Sequence, residues 1–234
     1  MKLDNIITVQ ADLICETGLH VGASDTEMHI GGVDNSVMKD PVTGEPFIPG
    51  SSLKGKMRSM LEWRSGLVEE TPLSWKTYKE TKDDEALRIL KLFGLAASDR
   101  PNVDEARFVG PTRLSFWDAS LDPDWSREYY ERHRVWTDVK TENMINRITG
   151  AAEHPRQTER VPAGAKFRFR VGLKVINGEK DLLDVLFAGM KLLELDGLGG
   201  STSRGYGKIR FANVTVDGED LTERFNAVPA FEKR

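Results

Sequence analysis

A single cysteine, Cys15, is all this 234-residue chain carries. No internal disulfide can form, and a reducing cytoplasm is the expected compartment. Histidine is almost as scarce: the four residues are scattered, and with one cysteine they cannot supply the ligand spacing of a zinc site. Long apolar runs are missing too. None approaches the roughly 18 residues of a membrane helix, and the opening stretch MKLDNIITVQADLICETG spreads charges among its apolar residues, so neither a membrane partner nor a signal peptide is expected. There is no internal repeat and no low-complexity tract. What remains is an ordinary globular composition, 30% charged and 39% hydrophobic. The length suits one domain with insertions, or two small ones, with enough chain to bury a core.

A strong positive charge is also lacking, since the net is −4. That argues against a generic polyanion binder, but the sum hides segregation. Residues 156–174 carry Arg156, Arg160, Lys166, Arg168, Arg170 and Lys174 against Glu159 alone. Residues 51–64 carry Lys54, Lys56, Arg58 and Arg64 against Glu62, and residues 198–210 carry Arg204, Lys208 and Arg210 with no acid. Acids gather elsewhere, at Glu69, Glu70, Asp83, Asp84 and Glu85. Screening limits a distant charge to ~8–10 Å, so local cationic stripes can still hold a polyanion. Charge alone leaves open the plainer alternative, that these residues merely solvate exposed faces.

Periodicity orders the chain. Ile7, Val9, Ala11 and Leu13 alternate with polar residues and predict a strand over 5–14. Residues 15–50 are punctuated by Gly and Pro and predict a long ordered loop with short strand pieces. A helix follows, with Ser51 or Ser52 as N-cap and Leu53, Met57, Met60 and Leu61 as its apolar stripe. Lys54 and Arg58 lie beside that stripe as i, i+4 neighbours. Residues 65–105 predict a helical insertion, including a helix at 84–93 closed by Gly94. A strand is expected near 112–118. KFRFRVGLKV is the clearest strand, apolar on one face and carrying Lys166, Arg168, Arg170 and Lys174 on the other. A leucine-striped helix at about 180–195 and a strand at 208–216 close the order. The result, β-α-β-β-α-β, is that of a ferredoxin-like or RRM-like α+β fold.

Two glycine motifs need separating from better-known ones. GSSLKGKM has the glycines and lysine of a phosphate loop, but Met57 stands where Ser or Thr should hold magnesium, and Gly55 falls inside the predicted helix. An ATPase site is rejected. A helix start beside Lys54 and Arg58 remains a good phosphate seat. GLGGSTSRGYG follows a helix and precedes a strand, the reverse of a dinucleotide fingerprint. It offers Gly199, Gly200 and Ser201 as backbone donors for close approach to a ligand, together with Arg204, while Gly197 serves as the helix C-cap. Asp34, in GGVDNSVMKDP, reads on local grounds as a turn former, and His20 as a hydrogen-bonded loop residue.

ETGLHVGAS, GGVDNSVMKDP, IPGSSLKGKMR, NRITGAAEHPRQTERV and KLLELDGLGGSTSRGYGKI occur in this order over nearly the whole chain. Together they closely resemble the backbone-subunit family of type III-A CRISPR effector complexes, within the RAMP superfamily. The resemblance implies one RRM-like palm domain over 1–234, a helical insertion at 65–105 and a protruding thumb β-hairpin at 139–163. It implies an endoribonuclease whose copies line up along a guide RNA and cut complementary target RNA at regular intervals, with one loop aspartate required for cutting. That aspartate matches Asp34, acting as a base toward the 2′-OH or as the ligand of a weakly held Mg²⁺ or other divalent cation. His20, Ser51, Ser52, Lys54, Arg58, Arg147, Arg156, Gly199, Gly200, Ser201 and Arg204 are the expected RNA-binding set. Met144, Ile145 and Ile148 are candidate wedges between bases, unless they are ordinary core residues. The implied partners are guide RNA, target RNA, further copies of the chain, and other complex subunits including the large polymerase-type and the small subunit. Two alternatives stand beside this reading. One is a non-catalytic RNA-binding scaffold, and the other a guide-processing nuclease with His20 as base.

Overall fold

The computed structural model describes residues 1–22, 34–179 and 181–231. The chain runs β1 (Leu3–Cys15), β2 (Phe47–Ile48), α1 (Gly50–Ser65), α2 (Trp75–Thr81), α3 (Asp84–Phe93), α4 (Val103–Val109), β3 (Leu114–Phe116) and β4 (Ala119–Ser120). It continues through α5 (Pro123–His133), β5 (Asp138–Ile145), β6 (Ala152–Arg160), β7 (Lys166–Ile176), α6 (Leu182–Asp196), a 3₁₀ turn (Thr202–Arg204), β8 (Ile209–Val216), β9 (Glu219–Asp220) and α7 (Thr222–Ala227).

The main sheet has the order β3-β7-β1-β8-β9, and every pairing in it is antiparallel. Its four principal strands with α1 and α6 follow the chain order β-α-β-β-α-β. The alternation in β1 and β7 fixes which face is dry. Leu13 pairs with Phe167 and Val9 with Val171, and all four are buried. Phe169 and Phe211 meet edge to face at 5.0 Å, Phe187 and Phe225 at 5.5 Å, and α1, α3, α6 and α7 close this side of the sheet over Leu53, Met57, Leu61, Leu186 and Met190. The opposite face of β7 is left to its cations.

Local chemistry accounts for the helix ends. Asp83 caps α3 by accepting from Ala86 N at 2.8 Å, and Gly94 closes it, at the bounds the sequence predicts. Gly197 terminates α6 as expected. At α1 the expectation fails. Its N-cap is Pro49, Ser51 and Ser52 lie in the first turn, and neither side chain caps it. The Gly50 N–H instead donates to the Asp118 carboxylate at 2.7 Å, from the far side of β3.

β5 and β6 form a separate two-stranded antiparallel sheet, paired from Asp138↔Arg160 to Ile145↔Ala152. Val139, Met144, Ile145 and Ile148 are exposed on it, Ile148 to 96%. Core packing therefore does not account for these apolar residues. No helix among the described residues is long and apolar enough to cross a membrane.

Candidate nucleic-acid interface

β6 organises the residues that the sequence singles out. Asp34 is exposed, and its Oδ2 accepts from Gln157 N at 3.0 Å, 123 residues along the chain. Asn35 then pairs with Thr158 as a parallel bridge, donating to Gln157 O at 3.3 Å and accepting from Glu159 N at 2.9 Å. The segment after Asp34 therefore touches β6 through an isolated bridge at Asn35 before Val37 and Lys39 bridge to Gly22 and Pro46. A simple turn former would bond its own backbone two residues on; Asp34 instead bonds a different element. Gly31, Gly32 and Val33, which precede it, lie outside the described residues, as do Met28 and Ile30.

The residue that sequence reasoning missed is Glu159. It is buried, and its carboxylate accepts from Val37 N at 3.0 Å, Lys39 Nζ at 2.6 Å and Thr137 Oγ1 at 2.6 Å. Burial pushes its carboxyl up, but Lys39, Thr137 and the Val37 N–H together outweigh that and hold it below the usual carboxylate range. The only signal available in the sequence was its isolation, one acid among six cations.

His20 joins the same strand from the other side. Its Nδ1 donates to the Glu159 main-chain carbonyl at 2.7 Å, and its own carbonyl accepts from Gly200 N at 2.9 Å. The glycine-rich loop thus closes on His20. A Cβ on Gly199, at φ +76°, would lie 2.2 Å from the His20 carbonyl oxygen. The close approach expected at Gly199 and Gly200 is therefore made to the chain's own backbone. Ser201 Oγ likewise accepts from the Arg204 guanidinium.

Arg204 and Lys140 form the next layer. Both reach the Glu142 carboxylate, at 3.2 Å and 3.1 Å, and Lys140 stands 4.4 Å above the Tyr206 ring. Burial raises the Tyr206 phenol, and the nearby Glu142 charge adds to it. Arg160 grips Asp138 through two contacts, 2.8 and 3.1 Å, and flanks the same ring at 5.6 Å. The β5–β6 hairpin is fastened by these contacts to the loop that carries Arg204.

The α1 residues divide. Lys54 is half-buried and makes no ion pair among the described residues. Arg58 does not fit the expected RNA-binding role. Its side chain is 12% exposed, and its guanidinium is used up on Glu62 at 2.7 Å, Gly94 O at 3.2 Å and Leu73 O at 2.9 Å. It ties α1 to the 65–105 segment. The anion seat at the helix start is also filled, by Asp118. Arg147 and Arg156 are exposed on the hairpin, Arg147 donating, among the described residues, only to Ile145 O at 3.3 Å. Among the described residues no three His, Cys, Asp or Glu side chains form a metal-binding group.

Comparisons with known proteins agree on a kinship. A family model for the RAMP superfamily matches residues 23–210. A protein from Methanothermobacter thermautotrophicus called "CRISPR system Cms endoribonuclease Csm3" is 39% identical, over 92% of this chain and 87% of its own. One of the same name from Streptococcus thermophilus is 40% identical, over 89% and 88%. Among solved structures, Methanopyrus kandleri Csm3 superposes with a TM-score of 0.57 at 26% identity, covering 92% of this chain and 78% of that one. A Csm3–Csm4 subcomplex of the type III-A CRISPR-Cas interference complex gives a TM-score of 0.55 at 29% identity, covering 92% and 80%.

Proposed function

This chain belongs to the RAMP superfamily, and on that premise we propose that it is a backbone subunit of a type III-A CRISPR interference complex that binds guide RNA in a row of copies and cuts complementary target RNA at regular intervals. In this reading the βαββαβ sheet is the RRM-like palm, residues 65–105 are the helical insertion, and the β5–β6 hairpin is the thumb. Guide RNA, target RNA, further copies of the chain and the other subunits of such a complex are its partners. The relatives' name, endoribonuclease, supports the activity.

The observation that carries the reading is the placement of Asp34. An exposed carboxylate is held against the base of a hairpin whose tip exposes Ile148, Met144 and Ile145 beside Arg147 and Arg156. A wedge that unstacks a base gives one nucleotide the freedom to bring its 2′-OH in line with the neighbouring phosphate. Asp34 then takes the 2′-OH proton, the 2′-oxygen attacks phosphorus, and the P–O5′ bond breaks, the leaving 5′-oxygen taking a proton from water, giving a 2′,3′-cyclic phosphate and a 5′-OH. A divalent ion bound by Asp34 would supply charge stabilisation at the phosphate. Lys54, Arg147, Arg156 and the loop around Arg204 hold RNA phosphates, with His20 packed among them.

Single-turnover cleavage by the assembled complex tests the reading. Asp34→Ala should lower the rate by about 10²–10⁴-fold while guide loading and target binding persist, and EDTA should reproduce the defect if an ion takes part. Undiminished cutting by Asp34→Ala would leave the chain a scaffold. Undiminished cutting together with its loss in His20→Ala would move the base to the histidine.

A further inference from the structure

The cationic face of β7 has no part in the site just described. The helices cover the other side of the sheet, so Lys166, Arg168, Arg170 and Lys174 project from its open face, joined from β8 by Arg210. Their neutralisation is loose. Lys166 lies 3.6 Å from Asp12, Arg168 3.6 Å from Asp122 and Arg210 3.8 Å from Glu16, all well beyond the roughly 2.7–2.9 Å of a strong charge-assisted bond. Arg170 and Lys174 have no carboxylate within ion-pair distance among the described residues. Arg113, by contrast, is buried and spends its guanidinium on Glu179 at 3.0 Å and on two carbonyls. Arg168 and Arg170 are exposed, whereas Lys166 and Lys174 are half-buried and Lys174 Nζ also donates to Thr112 O at 3.2 Å.

An aromatic lies among them. Trp117 N donates to Arg170 O at 3.2 Å, and the indole turns over the sheet across Gly172, where a Cβ would sit 3.3 Å from its ring. The missing side chain at Gly172 leaves the ring room to lie there. The Arg170 guanidinium stands 4.7 Å from the ring centroid, and Trp117 remains 43% exposed. Along β7 the outward side chains recur every ~6.6 Å. Regularly spaced cations with an interleaved aromatic and guanidinium plane are the elements of a single-strand surface, where phosphates track the charge and a base stacks. The stripe begins near the end of β1. Lys166 and Arg210 both pair in register with Ile14, one residue before β1 ends and the chain turns toward His20.

Resting on the reading that this chain binds RNA, we propose that the open sheet face is a second path for single-stranded RNA, with phosphates on Arg168, Arg170, Lys174 and Arg210 and a base stacked at the Trp117–Arg170 pair. It receives RNA that extends beyond the hairpin site. A duplex is disfavoured, because its bases are already stacked and cannot reach Trp117.

The test is a salt series of anisotropy titrations of the full chain with a labelled oligouridine long enough to leave the hairpin site. For single strands the slope of log affinity against log salt is about 0.7 per phosphate contact, so Arg168→Ala with Arg170→Ala should flatten it by about 1.4. Replacing both by Lys should restore the slope. Trp117→Ala should weaken binding by about 5- to 150-fold. Lys54→Ala with Arg156→Ala, in the hairpin site, is the control. If that pair weakens binding while the sheet variants leave slope and affinity unchanged, the second path is wrong and the first site stands. If neither set weakens binding, the RNA reading itself falls. If the sheet variants spare RNA binding but block assembly with other subunits, the face is a protein interface and the proposal is overturned.

Discussion

Lys39 Nζ donates to the Glu159 carboxylate at 2.6 Å, joining the segment that follows Asp34 to the strand that receives it. The pair is reinforced by Val37 N and Thr137 Oγ1 on the same carboxylate. One buried acid thus holds the segment after Asp34, the start of the hairpin and, through its own carbonyl, the His20 ring. Removing it would leave the buried Val37 N–H and the half-buried Thr137 hydroxyl without an acceptor, and a buried unsatisfied donor costs about 1–3 kcal/mol. We expect Glu159→Ala to lower unfolding stability by at least ~2 kcal/mol in urea denaturation, with new proteolytic cleavage near residues 34–40. A stability equal to the parent chain would mean the carboxylate is dispensable.

The same group gives a pH dependence. The folded-state carboxyl titrates below its ordinary value, so its stabilisation is complete above the unfolded value of about 4.3 and fades as the pH falls through the lower folded value. Protonation in that acidic window should loosen the Asp34 segment. Hydrogen exchange at Asn35 and Val37 should accelerate there, and Glu159→Gln should show no such step. A step of equal size in the Gln variant would assign it to another acid.

Arg58 and Lys54 should separate cleanly. Arg58→Ala removes the cation from buried Glu62, which keeps only the Leu73 N–H among these bonds, and the donor from two carbonyls, and breaking a buried ion pair costs about 3–5 kcal/mol. It should lower the melting temperature by several degrees. Lys54→Ala should leave stability within ~0.5 kcal/mol and weaken RNA binding instead. Equal melting curves for the two variants would contradict the assignment of Arg58 to the α1 junction.

These residues also mark where the sequence was legible. The dry face of β1 and β7, the bounds of α3 and the Gly197 terminus follow from periodicity and from caps a few residues away, which are local properties. Whether Arg58 faces water depends on Leu73 and Gly94, contributed by the insertion. The cap of α1 comes from Asp118, 68 residues away. Glu159 sits at the end of a strand whose preceding residues, His154 to Gln157, are exposed, and nothing near it in sequence announces Lys39 or Val37. The motif resemblance placed Asp34 in the site; the partner that holds it, Gln157 N, could not be read from pattern.

The hairpin tip offers a test in which stability should not move. Ile148 is 96% exposed, so Ile148→Asp removes no packing. The melting temperature should be unchanged, while the assembled complex should cut target RNA more slowly and with poorer spacing, because a charged carboxylate neither wedges between bases nor tolerates nearby phosphates. Cleavage with the parental rate and interval would remove the tip from the mechanism.

Asp34→Asn separates holding from chemistry. The amide oxygen can still accept from Gln157 N, so the segment should stay docked on β6 and urea denaturation should match the parent within ~0.5 kcal/mol. The negative charge is lost, and with it both the basicity toward a 2′-OH and most of the attraction for a divalent ion. Target binding should therefore be unaffected while single-turnover cleavage falls by at least about 10²-fold. Asp34→Glu is the complementary arm. It keeps the charge but lengthens the side chain beyond the Gln157 bond, so some cleavage should return with a less regular interval. If Asn cleaves as well as Asp, the carboxylate does no more than pin the loop, and the proton must be taken by another group.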